Sequence, residues 1–62
     1  MTLTITIEMD NAAFEEEGSG NEVGRILRCV AGRLMDDDVT EDTGFNLFDI
    51  NGNKVGSVEV TG

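Results

Sequence analysis

Asp36-Asp37-Asp38, followed closely by Glu41 and Asp42, is the densest group of chemically capable side chains in this sequence. A second group, Glu15-Glu16-Glu17, lies between Asp10 and Glu22. Clustered carboxylates can share a proton, bind a cation or complement a basic protein surface. Hydrolysis by paired acids needs a substrate cleft, and a chain of 62 residues has little room to form one. With no histidine there is no Ser-His or Cys-His pair and no usual zinc ligand set. Cys29, between Arg28 and Val30, reads as a passive, half-buried thiol. Gly18-Ser19-Gly20 lacks the lysine and spacing of a phosphate-cradling loop. Asp49, Asn51 and Asn53 occupy the first, third and fifth positions of an EF-hand-like run. Lys54 and Val60 then stand where that loop needs glycine and glutamate, so a hairpin turn is the better reading. The sequence therefore points away from an enzyme and implies no metal or cofactor.

What remains is charge. Thirteen acids against four cations give a formal charge of -9. Such an excess strains a small domain by self-repulsion, so added salt should stabilise it. It disfavours nucleic acid and anionic membranes as direct partners and favours basic proteins. The single cysteine excludes an internal disulfide framework and fits a reducing cytoplasm. Thr2–Met9 lacks the basic residues and long apolar run of a signal peptide, and nothing approaches the roughly 18 apolar residues of a membrane span.

The elements that must carry these acids are legible in the pattern. Leu3, Ile5, Ile7 and Met9 alternate with Thr2, Thr4, Thr6 and Glu8, the period of a strand with one apolar face. Asp10–Gly20 reads as a polar loop in which Phe14 is the one large apolar anchor. Ser19 to Glu22 reads as a capping box, with Ser19 as N-cap and Glu22 reaching back. Val23, Ile26, Leu27, Val30, Ala31 and Leu34 then recur at helical spacing. Arg25, Arg28 and Arg33 fall on the polar side, where Glu22 can pair with Arg25, and Arg33 with Asp36 or Asp37. Phe45–Ile50 and Val55–Val60 flank Asn51-Gly52, a strong hairpin signal. A two-residue turn there sets Asp49 opposite Lys54 and Phe48 opposite Val55, whereas a longer loop or bulge changes that register.

The expected fold is a single α+β domain over residues 1–62, β-α-β-β, with a three-stranded sheet and one helix packed on one face. The first two strands should run parallel, with the third able to lie between them. Leu3, Ile5, Ile7, Leu47, Val58 and Val60 can face the helix together. Phe48, Ile50 and Val55 are then left for the open face, as a candidate partner or homodimer patch. The edge strand Thr2–Met9 offers a second route to association.

The segments TITIEMDNAAFEEE, EVGRILRCVAGRL and LFDINGNKVGSVEV resemble small acidic proteins encoded by phages and prophages. That resemblance spans nearly the whole chain and carries over no catalytic residue. It implies an inhibitor of host defence, of anti-CRISPR or anti-restriction type, acting in the host cytoplasm. Such an inhibitor would bind the basic, nucleic-acid-binding surface of a host protein or nucleoprotein complex. Asp36, Asp37, Asp38, Glu41 and Asp42 are the candidate contact residues, supported by Glu15, Glu16 and Glu17. Carboxylates acting as a nucleic-acid mimic would have to continue across the sheet through Glu8 and Glu59, because three arginines occupy the helix between the two clusters. The alternative is a structural or assembly module that self-associates through the open sheet face or the edge strand.

Overall fold

The computed structural model describes residues 1–62, and its elements follow the order strand, short helix, long helix, strand, strand. The first strand, β1, spans Thr2–Ile7, where threonines alternate with leucine and isoleucine. Helix α1 covers Ala12–Glu16 and α2 covers Ser19–Asp37. Strands β2 (Gly44–Phe48) and β3 (Lys54–Thr61) complete a three-stranded sheet of order β1-β3-β2. Central β3 is antiparallel to both neighbours, so β1 and β2 run in the same direction without touching. The fold is α+β, as the alternating and helical periods lead one to expect.

The register explains which side chains share a face. Leu3 pairs with Val60; Ile5 and Phe45 both pair with Val58; Ile7 and Leu47 both pair with Gly56. Cross-strand partners point the same way, so these rows form one apolar face. Ile26 and Val30 of α2 pack onto it with Leu47, Val55, Val58 and Phe14, all at most 5% exposed. Each such buried aliphatic or aromatic side chain contributes about 1.5–3 kcal/mol. Phe14 is the expected anchor, but its setting is helical. Asn11 caps α1 by accepting from the Ala13 N–H at 3.1 Å, and this turn drives Phe14 inward.

Three local expectations are corrected. No capping box forms at α2: Ser19 lies inside the first turn, and Gly18 is the N-cap with no side-chain hydrogen bond. The physical reason is that the Glu22 carboxylate is occupied elsewhere, by Arg25 and by the Ile50 N–H. The hairpin has no two-residue turn. Asp49–Asn53 form the connection, closed by Asp49 N–H to the Asn53 carbonyl at 2.9 Å, and Phe48 pairs with Lys54. The register shift after Leu47 places one extra residue on β3, so Val55 turns into the core instead of the open face. Gly56 follows directly, and here a Cβ would meet the Thr6 carbonyl oxygen at 1.8 Å. Only glycine permits that approach of β1 to β3.

Candidate functional site

The acidic loop begins where α2 stops. Asp38 has φ 59°, a left-handed value that ends the helix, and its N–H still donates to the Leu34 carbonyl at 3.0 Å. Its carboxylate turns back on the chain and accepts from the Val39 N–H at 2.8 Å. Thr40 and Thr43 then build the loop. Thr40 N–H donates to Thr43 Oγ1 at 2.9 Å, and Thr40 Oγ1 accepts from the Asp42 N–H at 3.2 Å. The loop is therefore shaped by hydroxyls and backbone, and Asp36, Asp37, Glu41 and Asp42 are exposed with no hydrogen-bonded partner for their carboxylates. Between the loop and the end of the sheet lies an open depression of about 220 Å³, lined in part by Asp37, Asp38, Asp42 and Thr43.

Arg33 also lines this depression but forms no ion pair with its acids. Its guanidinium lies over the Phe45 ring, 3.9 Å from the centroid, and the expected pairing with Asp36 or Asp37 is not made. Stacking on an aromatic face keeps the cation partly solvated while covering β2. The last turn of α2 also contains no basic residue. Asp36 and Asp37 therefore lie at the negative end of the helix dipole with no ion-paired cation, although Arg33 lines the same depression as Asp37 and Asp38.

Glu15, Glu16 and Glu17 sit at the opposite end of α2, on α1 and its cap, all exposed. A 19-residue helix is about 28 Å long, in a molecule 35 Å along its greatest dimension. The two clusters are thus separate poles and form no common patch.

Glu22 belongs to neither pole. It is 1% exposed, and its carboxylate accepts from Arg25 Nε at 2.6 Å and from the Ile50 N–H at 3.0 Å. The Arg25 hydrogen bond first, then the Ile50 N–H, hold its carboxyl below the ordinary value despite the cost of burial. Asp49, 4% exposed, lies close by. Burial pushes its carboxyl up, but N–H donors from Asn53, Asn11 and Asn51 outweigh this and hold it below the ordinary value. Together these two acids tie the β2–β3 loop to α2 and to the cap of α1. Asp49 therefore fastens its own loop to the cap of α1 and is not a cross-strand partner of Lys54. The signal was present in Asp49-Ile50-Asn51-Gly52-Asn53, since an aspartate ahead of Asn-Gly is suited to accepting loop N–H groups.

No family model matches this chain, and no match is found among curated proteins or solved structures.

The proposed sheet-face patch is smaller than expected. Phe48 and Ile50 are 51% and 54% exposed, but Val55 is buried and Ile50 sits in the loop beyond β2. The open face is otherwise polar, since alternation from the core residues places Thr2, Thr4, Thr6, Asn46, Ser57 and Glu59 there. Cys29 is exposed, not half-buried, on the arginine side of α2. No helix is long and apolar enough to cross a membrane.

Proposed function

We propose that the protein is a non-enzymatic inhibitor that binds the basic, nucleic-acid-binding surface of a host-defence nucleoprotein. Asp36, Asp37, Asp38, Glu41 and Asp42 make the principal contact, and Glu15, Glu16 and Glu17 support it. The observation that carries this reading is the freedom of the acids. Only Glu22, Asp38 and Asp49 accept hydrogen bonds through their carboxylates, and Glu22–Arg25 is the single ion pair. The remaining acids add repulsion and return nothing to the fold, which fits selection for an external basic partner. The type of target, a CRISPR or restriction complex in the host cytoplasm, rests on the resemblance to small acidic phage proteins.

The two poles favour displacement of nucleic acid from a basic channel over mimicry of a continuous phosphate track. The test is competition with duplex DNA for a CRISPR effector or restriction complex, in low and high salt. The variant of choice reverses Asp36, Asp37, Glu41 and Asp42 to lysine and leaves Asp38, whose positive φ and backbone bond shape the loop. Binding should weaken by more than about tenfold, from the loss of several charge contacts. Equal inhibition by the reversed variant would falsify the acidic-pole assignment.

A further inference from the structure

Cations are few in this chain, and their placement is uneven. Three of the four, Arg25, Arg28 and Arg33, lie on α2. Arg25 and Arg33 stand four residues either side of Cys29, so these positions share one face of the helix. Between that face and β2 runs an open groove of about 260 Å³, floored by Val30, Phe45, Leu47 and Phe48. Val30 and Leu47 are buried, Phe45 is half-buried, and Phe48 is 51% exposed. The groove is therefore apolar along its floor and cationic along its helical rim.

Both guanidiniums on the rim keep donors to spare. Arg25 spends Nε on Glu22 and one proton of Nη2 on the Phe48 carbonyl, which leaves Nη1 uncommitted. Arg33 stacks on the Phe45 ring and forms no ion pair. A stacked guanidinium still presents its N–H edge to a ligand. Asp49 also lines the groove, but its carboxylate is taken up by Asn11 and Asn53 and the residue is 4% exposed. The charge that the groove offers an occupant is thus positive.

We propose that this groove binds a small amphiphilic carboxylate, an acid group carried on an alkyl or aryl body. The carboxylate sits over Cys29 between Arg25 and Arg33, each about 6 Å away along the helix axis. The guanidinium forks match its two oxygens, and the apolar body lies along β2 toward Phe48. Complementarity selects this occupant on both counts. A cation is repelled by the rim, and an uncharged body leaves the arginine donors unused. A polyanion such as DNA would have to pass the free acids at both ends of α2, whereas a single carboxylate stays within the groove. The volume lies just under the roughly 300–1,000 Å³ of ordinary ligand pockets, so the ligand is small and its affinity is near millimolar. The site uses none of the residues assigned to the acidic contact, so it stands or falls separately from the inhibitor reading.

Octanoate is the probe, with octanol as its uncharged counterpart. Titrated into the full chain under reducing conditions, octanoate should saturate in the millimolar range. Amide shifts in an isotope-labelled sample should centre on Arg25 to Arg33 and on Phe45 to Phe48. Alkylation of Cys29 by iodoacetamide should slow several-fold at saturation, because the ligand covers the thiol. Octanol should bind roughly fivefold or more weakly, since it forms no charged hydrogen bond with the rim. Arg33→Met keeps an apolar stem over Phe45 but removes the charge, and should weaken octanoate by a similar factor. Circular dichroism checks the fold of that variant. If it does not fold, the comparison of octanoate with octanol on the unaltered chain decides alone. Failure to saturate, shifts centred elsewhere or unchanged Cys29 alkylation overturns the proposal. So does octanol binding as tightly as octanoate, or a folded Arg33→Met chain that binds octanoate unimpaired.

Discussion

The backbone N–H of Ile50 donates to Oε2 of Glu22 at 3.0 Å, joining the β2–β3 loop to the first turn of α2 across 28 positions of sequence. Arg25, one helical turn further on, donates to the other oxygen and also reaches the Phe48 carbonyl. A buried carboxylate is costly unless its lone pairs are met by donors, and here both oxygens are met.

Removing that acid leaves the Ile50 N–H and the Arg25 guanidinium without their acceptor. Glu22→Ala should lower Tm several-fold more than Glu59→Ala, whose carboxylate is exposed and accepts nothing. Glu22→Gln, which keeps one acceptor oxygen, should fall between them. Thermal melts of the three variants followed by circular dichroism give the order. Equal losses for Glu22→Ala and Glu59→Ala would contradict the clamp.

Stability should fall in acid. Glu22 and Asp49 both have folded-state pKa values below their ordinary ones, so each binds a proton more readily once the chain unfolds. Their contribution is fully present above the ordinary carboxylate range near about 4, and is lost as pH drops through the lower folded values. Urea midpoints between neutral pH and pH 3 should show the decline, and it should be shallower in Asp49→Asn.

Gly56 is the position of least tolerance. A Cβ there would meet the Thr6 carbonyl oxygen at 1.8 Å and the carbonyl carbon at 2.8 Å, both backbone atoms that cannot swing aside. Gly56→Ala must push β1 away from β3 and should cost about 2 kcal/mol or more. Gly24→Ala, in the middle of α2 with open space around it, should instead stabilise by up to about 1 kcal/mol. Denaturant titrations of the pair should move in opposite directions.

Added salt should raise Tm even in dilute, monomeric samples. One ion pair set against a charge of -9 leaves repulsion as the dominant surface term, and screening weakens it. The lysine-reversed variant of the acidic loop should show a smaller salt response and a higher Tm at low salt. A Tm that falls with salt would mean that attraction outweighs repulsion.

The repeating elements were legible because a strand and a helix each impose one period over several residues. Leu3, Ile5 and Ile7 announce β1, Val23 to Leu34 announce α2, and Phe14 stands out as the only large apolar side chain in a polar stretch. Sequence reasoning failed where a residue had two local options of similar cost. Glu22 could close a capping box or leave it; Val55 could face either side of the sheet, depending on a single extra residue in the hairpin. Arg33 had an acid within reach on its own helix, yet Phe45 from another element lay beneath it.

By itself the sequence determined the three strands and the long helix but not the short α1, along with the parallel sense of β1 and β2, the apolar rows and the two exposed acidic poles. Those properties follow from periodicity, turn chemistry and charge, which act over a few neighbouring residues. The tertiary structure alone decided that Glu22 and Asp49 are buried, that the acidic loop has no ion-paired cation, and that β1 keeps a bare edge. Each of these depends on donors, rings or strands supplied from distant segments, and such partners meet only once the sheet and α2 have packed together.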